Sequence, residues 1–92
     1  MKIVDKLIYF KIKEMLDPII LNVLNESYKH KNHFYYNKYS HFFLEIVSNE
    51  FINKTNIVRH KMVYNILFNF KKYNIHSLRL RTYTLNEIRN YF

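Results

Sequence analysis

The hydrophobic positions in the first part of the chain recur at intervals of three and four residues. They are Val4, Leu7, Ile8, Ile12, Met15 and Leu16. This spacing places apolar side chains on one side of a helix, so it predicts an amphipathic helix over about residues 3 to 16. Asp17 precedes Pro18, and a residue before proline is disfavoured in the helical region. We therefore expect the helix to end there.

Three later stretches have the branched composition or the alternation of β-strands. The first covers about residues 19 to 26. In "HFFLEIVSNEF", Phe42, Leu44 and Ile46 alternate with Phe43, Glu45 and Val47, and in "IHSLRLRTYT", His76, Leu78, Leu80 and Thr82 alternate with Ser77, Arg79, Arg81 and Tyr83. A period of two buries one side of a strand and exposes the other. The exposed face should show Phe43, Glu45, Arg79 and Arg81.

Two further helices are predicted. The stretch "IVRHKMVYNILFNFKKY" places Val63, Ile66, Leu67 and Phe70 on one helical face and ends near Lys71 and Lys72. Positive side chains near a helix C-terminus complement the helix dipole. The sequence "TLNE" at 84–87 matches a capping box, in which Thr84 and Glu87 satisfy each other's backbone amides, and it predicts a short helix over about 85–91.

The predicted order is α-β-β-α-β-α, with no internal repeat or linker, and it indicates one domain over residues 1–92. Two strands joined by a long hairpin, followed by a helical crossover to a third strand, give a mixed sheet. We expect an α/β (α+β) fold in which a three-stranded sheet carries helices on one face.

Composition and charge narrow the function. The chain has 92 residues, no cysteine and a net charge of +8. Disulfides, thiolate catalysis and cysteine ligation of a metal by this chain are therefore excluded. No apolar run approaches the roughly 18 residues of a membrane span, and the N-terminus fits neither a signal nor a transit peptide. The charge favours anionic partners such as nucleic acid, acidic proteins or anionic lipid.

Histidines in and around "SYKHKNHFYYNKYSHF" are the candidates for metal binding. His30, His33 and His41 have spacings that could surround zinc, but this stretch has no carboxylate or cysteine, and structural zinc takes four ligands. Solvated loop histidines are the competing interpretation. By strand alternation His76 shares the face of Leu78, where a histidine is more often structural than a ligand.

Nucleic-acid binding is a second possibility from the residues alone. Basic and aromatic residues are interleaved in the same stretch, and Arg79 and Arg81 add phosphate-binding and stacking groups on a strand. Arg59, His60 and Lys61 stand at the start of the long helix, where positive charge opposes the dipole, which favours a functional role. No Ser-His-Asp arrangement, pair of suitably spaced carboxylates or phosphate-binding loop is visible. The sequence therefore does not predict an enzyme.

Four stretches, taken in order, resemble the BolA family. They are "NESYKH" at 25–30, "SHFFLEIVSNEF" at 40–51, "RHKMVY" at 59–64 and "IHSLRLRTYTLNE" at 75–87. The resemblance implies a class II KH-like domain that partners a monothiol glutaredoxin and shares a 2Fe-2S cluster with it. The partner contributes cysteine and glutathione, and the isolated chain, expected to be a monomer, holds no cluster tightly.

The resemblance also assigns residues. His76 corresponds to the cluster ligand of the family's [IV]-H-A-L motif, and the loop ligand is His30, with His41 as the second choice. Bacterial members are linked to DNA binding and transcription through an R-H-R motif, here Arg59, His60 and Lys61, helped by other basic residues such as Arg79 and Arg81. An intracellular location is expected, in cytoplasm or mitochondrion.

The departures from the family pattern are few. Asn53 replaces a glycine, and asparagine is the best substitute where the backbone must be left-handed. Ser77, Lys61 and Ile88 replace alanine, arginine and tryptophan. The stretch "FNFKKY" at 68–73 replaces a helix end that is commonly acidic, so the charge of a partner surface is expected to differ there.

Overall fold

The protein is represented by a computed structural model that describes residues 3–26, 40–68 and 75–90. The elements are α1 (Ile3–Leu16), β1 (Ile20–Asn25), β2 (Ser40–Val47), a short 3₁₀ helix (Asn49–Phe51), α2 (Asn56–Leu67), β3 (Ile75–Tyr83) and α3 (Leu85–Arg89). Apart from the added 3₁₀ turn, this is the order that the hydrophobic pattern predicted.

The three strands form one mixed sheet in the order β1-β2-β3. β1 is antiparallel to β2, and its last residue, Asn25, pairs with Phe42. β3 is parallel to β2, with His41 beside Ser77 and Val47 beside Tyr83. Parallel neighbours need a crossover, and α2 provides it between them. The predicted hairpin followed by a helical crossover is therefore confirmed.

The core lies between one face of the sheet and the first two helices. Its buried members are Ile8, Ile12, Leu16, Phe42, Leu44, Ile46, Phe51, Val63 and Leu67. The predicted inward side of β2 is confirmed, since Phe42, Leu44 and Ile46 are each at most 1% exposed. Two positions differ from expectation: Met15, assigned to the apolar side of α1, is 50% exposed, and Val47, on the outward series of β2, is 3% exposed. Each stands at the end of its element, where the periodic pattern is least constrained by neighbours.

Among the described residues, two that are not glycine adopt positive φ, and both lie between regular elements. Asp17 has φ of 42° directly after α1, and Asn53 has φ of 62° between the 3₁₀ helix and α2. The left-handed region costs most side chains free energy but suits asparagine and aspartate, which form local hydrogen bonds. The expectation that Asn53 takes over a glycine's conformation is confirmed.

Side-chain caps define the later helices. Thr55 caps α2 by accepting a hydrogen bond from the amide of Val58, and Phe68 is the C-cap residue. The continuation of this helix to residue 73, with Phe70, Lys71 and Lys72, lies outside the described residues. The predicted capping box of α3 is present between Thr84 and Glu87.

The described part of the chain has no helix of sufficient length and apolarity to cross a membrane.

Candidate functional site

One end of the sheet brings together the segments that carry the predicted cluster ligands. β1 ends at Asn25, β2 begins at Ser40 and β3 begins at Ile75. Because β1 runs antiparallel to β2 and β3 runs parallel to it, these three termini lie at the same end of the sheet. His41 is the second residue of β2, and His76 is the second residue of β3.

His41 and His76 are close in the backbone framework. His41 pairs with Ser77, the residue next to His76, and neighbouring strands are about 4.8 Å apart. The carbonyl of His41 also accepts a hydrogen bond of 2.6 Å from the amide of Glu26, which ties the end of β1 to the start of β2. The fold therefore juxtaposes two positions that are 35 residues apart in the numbering.

A β-bulge occurs at His76. Ser40 pairs with Ile75 and His41 with Ser77, so His76 is the additional residue of β3 at this point. Strict alternation from Leu78 would turn Ile75 away from the core, yet Ile75 packs against the core cluster. The side chain of His76 lies outside what the structure describes, so its place on the face of Leu78 stays a prediction. Bulges often occur beside functional sites, where they redirect a side chain.

The remaining predicted ligand, His30, and the neighbouring His33 fall in residues 27–39, outside the described residues. The described residues on either side of that segment, Glu26 and Ser40, lie at the sheet end that holds His41 and His76. Within the described residues, no group of three or more histidine, aspartate or glutamate side chains is close enough to hold a metal ion.

The donor chemistry at this end fits a shared cluster better than a closed metal site. The chain has no cysteine and can offer imidazole nitrogen. Imidazoles can replace two thiolates on one iron of a 2Fe-2S centre, whereas the other iron keeps its thiolates. Histidines at this sheet end could therefore hold one side of such a cluster if another molecule supplied the thiolates.

Arg59 has a different role from the one expected from its position at the start of α2. Its side chain is buried, and its guanidinium donates hydrogen bonds to the carbonyls of Lys54 (2.8 Å) and Thr82 (3.2 Å). It also forms a two-pronged ion pair with Glu87, with Nη1–Oε1 at 2.7 Å and Nη2–Oε2 at 3.2 Å. One arginine thus joins the turn before α2, the end of β3 and α3.

These contacts show that Arg59 is not the freely exposed charge that its place in the nucleic-acid-binding set implied. Only 6% of the residue is exposed, and its guanidinium is already engaged by three groups of its own chain. The guanidinium carbon of Arg59 lies 5.7 Å from the ring centre of Phe51. Arg59 therefore has a structural role in holding α2 and α3 together, and phosphate binding by this residue stays a prediction.

Glu87 completes this arrangement electrostatically. The hydrogen bonds from Arg59, followed by the one from the backbone amide of Thr84, lower the pKa of Glu87 from 4.5 to about 2. The sequence identified Glu87 only as a capping residue. Its second role could not be found by local spacing, because Arg59 is 28 residues away.

The other two members of the "RHK" triplet are better placed for contact with a partner. His60 is half-buried and Lys61 is exposed on α2. His60 lines an open cavity of about 310 Å³. The other lining residues come from α2, β3 and α3 and are Asn56, Arg59, Leu80, Arg81, Thr82, Tyr83 and Glu87. This groove lies between the first turns of α2 and the free side of β3, and it brings His60 and Arg81 together.

The outer face of the sheet carries the remaining predicted basic residues. Arg79 and Arg81 are exposed on β3, as predicted. Their guanidinium carbons lie 4.4 Å and 5.6 Å from the ring centre of Phe43 on β2. Nε of Arg79 also forms an ion pair of 3.3 Å with Glu26. The sequence predicted this set of exposed residues but not their stacking.

Comparisons with known proteins agree on one family. Residues 12–87 match the family model described as BolA-like protein. The DNA-binding transcriptional regulator BolA of Escherichia coli (strain K12) is 34% identical over 77 residues, which cover 84% of this chain and 71% of the relative. SufE-like protein 1, chloroplastic/mitochondrial, of Arabidopsis thaliana is 32% identical over 84 residues, or 85% of this chain and 23% of that longer protein.

A solved structure has the same fold. The BolA domain of SufE1 from Arabidopsis thaliana superposes with a TM-score of 0.84 at 32% sequence identity, covering 95% of this chain and 98% of that domain. The similarity extends over the sheet and the helices together.

Proposed function

Because this chain belongs to the BolA family, we propose that it is a non-enzymatic adaptor that joins a monothiol glutaredoxin around a shared 2Fe-2S cluster. His76 is the ligand from β3, and His30 is the ligand from the segment between β1 and β2, with His41 as the alternative. The partner supplies a cysteine thiolate and the thiolate of glutathione.

The observation that supports this proposal most is the meeting of three strand termini at one end of the sheet. His41, His76 and both attachment points of the segment that contains His30 lie there. The register shift at His76 is a second support, because β-bulges are over-represented next to active sites.

Histidine ligation suits a protein that passes a cluster on. Neutral imidazole binds iron, and protonation of the ring competes with that bond. Ligands of this type raise the reduction potential of a 2Fe-2S centre relative to four thiolates. The half-site on this chain would therefore hold the cluster only together with the partner's thiolates, and it would release the cluster more readily than a set of four cysteines.

The test is reconstitution of the cluster with a monothiol glutaredoxin and glutathione, followed by visible absorption and circular dichroism. Addition of the wild-type chain should change the spectrum of the glutaredoxin cluster to that of a mixed complex. We expect His76→Ala to abolish this change and His30→Ala to reduce or abolish it. A His76→Ala spectrum identical to that of the wild-type complex would refute the assignment.

Two control variants separate ligation from folding and decide between the loop ligands. His60→Ala removes a histidine of α2, beside the opposite end of β3, and should leave the mixed spectrum unchanged. His41→Ala should leave it unchanged if His30 is the ligand. Loss of the mixed spectrum in His41→Ala, with His30→Ala unaffected, would make His41 the ligand and retain the adaptor function.

The second candidate function is DNA binding, and it is favoured by the groove beside α2. His60 and Arg81 line that groove and Lys61 is exposed next to it. The Escherichia coli relative is named a DNA-binding transcriptional regulator. In this proposal the phosphate contacts come from His60, Lys61, Arg79 and Arg81, whereas Arg59 only positions α2.

Duplex DNA titrated at several salt concentrations tests this candidate. If binding depends on phosphate contacts, the logarithm of the association constant falls linearly with the logarithm of the salt concentration. The steepness of this line decreases by about one for each phosphate contact removed. Lys61→Gln and Arg81→Gln should each lower the affinity and the slope. The exposed Lys13→Gln on α1 is a matched control and should leave both unchanged. An affinity that is independent of salt and of both substitutions would exclude this function.

A further inference from the structure

The face of the sheet opposite the helices has an ordered arrangement of side chains. β-Strand pairing sets Leu24, Phe43 and Arg79 side by side across the three strands, and Asn22, Glu45 and Arg81 form the next row. The apolar side chains lie toward β1, where Leu24 is 50% exposed. The aromatic ring is in the centre and the two arginines are on β3.

Phe43 is the centre of a stack. The guanidinium carbon of Arg79 lies 4.4 Å from its ring centre, and that of Arg81 lies 5.6 Å away. Guanidinium groups are planar and weakly hydrated, so they stack on aromatic rings and present a second planar surface. Nucleobases stack on both kinds of surface when they are not already stacked in a duplex.

The arrangement of charge favours one occupant over the others. The face also carries Glu45, and Glu26 pairs with Arg79 at 3.3 Å, so the face is not a purely cationic patch. A second copy would bring an equal charge of +8 against the first, which opposes association. A ligand with planar rings and negative charge stacks on the Phe43–Arg79 pair and is attracted by the net charge of +8.

We propose that the outer face of the sheet binds single-stranded nucleic acid, with bases stacked on Phe43 and on the guanidinium of Arg79 and with Arg81 contacting the backbone. The stack at 4.4 Å carries this inference. The surface shares Arg81 with the groove beside α2 but does not include the helix residues His60 and Lys61, and it does not depend on the adaptor function.

Fluorescence anisotropy with labelled 12-mers of oligo(U) and oligo(dT) tests the proposal. Phe43→Leu removes the aromatic ring on which one base stacks, and the binding free energy of that stacking is lost with it. The affinity should therefore fall about fivefold or more. Arg79→Lys keeps the charge but removes the planar group, and it should also weaken binding. Lys61→Gln, which removes one positive charge from α2, should have a smaller effect than either substitution.

Mapping on the wild-type protein makes the test independent of variant stability. Amide resonances of Leu24, Phe43 and Arg79 should shift when unlabelled oligo(U) is added to isotope-labelled protein. No binding of either 12-mer, shifts confined to α2, or a larger loss in Lys61→Gln than in Phe43→Leu would each overturn the proposal. A second copy as the true occupant would appear as a dimer in sedimentation that Phe43→Leu dissociates, with no oligonucleotide bound.

Discussion

At the scale of single residues, Arg59 shows how the surroundings decide the role of a charged side chain. A positive charge in the first turn of a helix is unfavourable with respect to the helix dipole. Here the charge is compensated by Glu87 and by two backbone carbonyls, so it joins three segments of the chain. Removal of the guanidinium leaves the Glu87 carboxylate and the two carbonyls without this hydrogen-bond donor.

We expect Arg59→Met to destabilise the fold by about 2 to 3 kcal/mol, because the substitution keeps much of the apolar volume and removes every charged hydrogen bond. Urea unfolding followed by circular dichroism at neutral pH measures the change. Lys61→Met, two residues later and exposed, is the matched control and should alter the free energy of unfolding by less than about 0.5 kcal/mol. Equal stabilities for the two variants would show that the Arg59 contacts contribute little.

Glu87 gives stability a defined dependence on pH. Its pKa is lowered to about 2 in the folded protein from an ordinary 4.5, so the folded state binds this proton less readily than the unfolded state. The contribution is fully present above about pH 4.5 and is lost as the pH falls toward 2. The Glu87 side chain is 44% exposed, so solvent screening reduces this contribution to about 1 kcal/mol.

The measurement compares the free energies of unfolding of wild type and Glu87→Gln between pH 7 and pH 2. The wild type should be more stable at pH 7, and the difference should shrink below about pH 4.5. Glu14→Gln, at an exposed position of α1, controls for the change in net charge. A difference between wild type and Glu87→Gln that stays constant down to pH 2 would contradict the ion pair.

At the scale of elements, the connections determine where the functional side chains lie. The bulge at the start of β3 changes the alternation at His76, and the tight turn at Asn53 sets the entry of the chain into α2. Both features are short departures from regular structure between regular elements. Each places the following element at a particular register or angle.

We expect Asn53→Ala to destabilise the protein by about 1 kcal/mol, since φ of 62° is costly for a side chain that cannot hydrogen-bond locally. Asn53→Gly should be within about 0.5 kcal/mol of wild type, because glycine adopts this conformation without steric cost. Thermal unfolding by calorimetry compares the three proteins. If alanine is tolerated as well as glycine, the positive φ of Asn53 contributes no strain.

At the scale of the whole molecule, the three candidate surfaces are distributed over different parts of one small domain. Of the proposed cluster ligands, His41 and His76 are at the end of the sheet where the strands β2 and β3 begin. The groove with His60 lies beside the first turns of α2, toward the other end of β3. The Phe43 stack is on the face away from the helices.

This separation predicts that cluster sharing and nucleic-acid binding can be lost independently. His76→Ala should abolish the mixed spectrum with a glutaredoxin and keep the affinity for oligo(U) within about twofold of wild type, because sites without shared contacts behave nearly additively. Phe43→Leu should show the reverse. Both activities should be assayed on the same protein preparations. Loss of both activities in each variant, with folding intact, would indicate a single overlapping site.

The sequence alone predicted the order of the elements and much of the core. The spacing of Ile8 and Ile12 in α1 and the alternation of Phe42 and Leu44 in β2 are local patterns, and helix and strand geometry convert them directly into buried faces. The capping box at Thr84 and the left-handed turn at Asn53 were predicted for the same reason. Each depends on residues within about four positions of one another.

The tertiary structure decided what the charged and histidine residues contact. Sequence spacing placed Arg59 among the exposed basic residues, and only the approach of α3 to α2 brought Glu87 within 2.7 Å of it. Likewise, the adjacent backbone positions of His41 and His76, the register shift beside them and the stack of Arg79 on Phe43 depend on the parallel pairing of β2 and β3. Local periodicity specifies which side of an element is apolar, whereas contacts between distant residues depend on how complete elements pack.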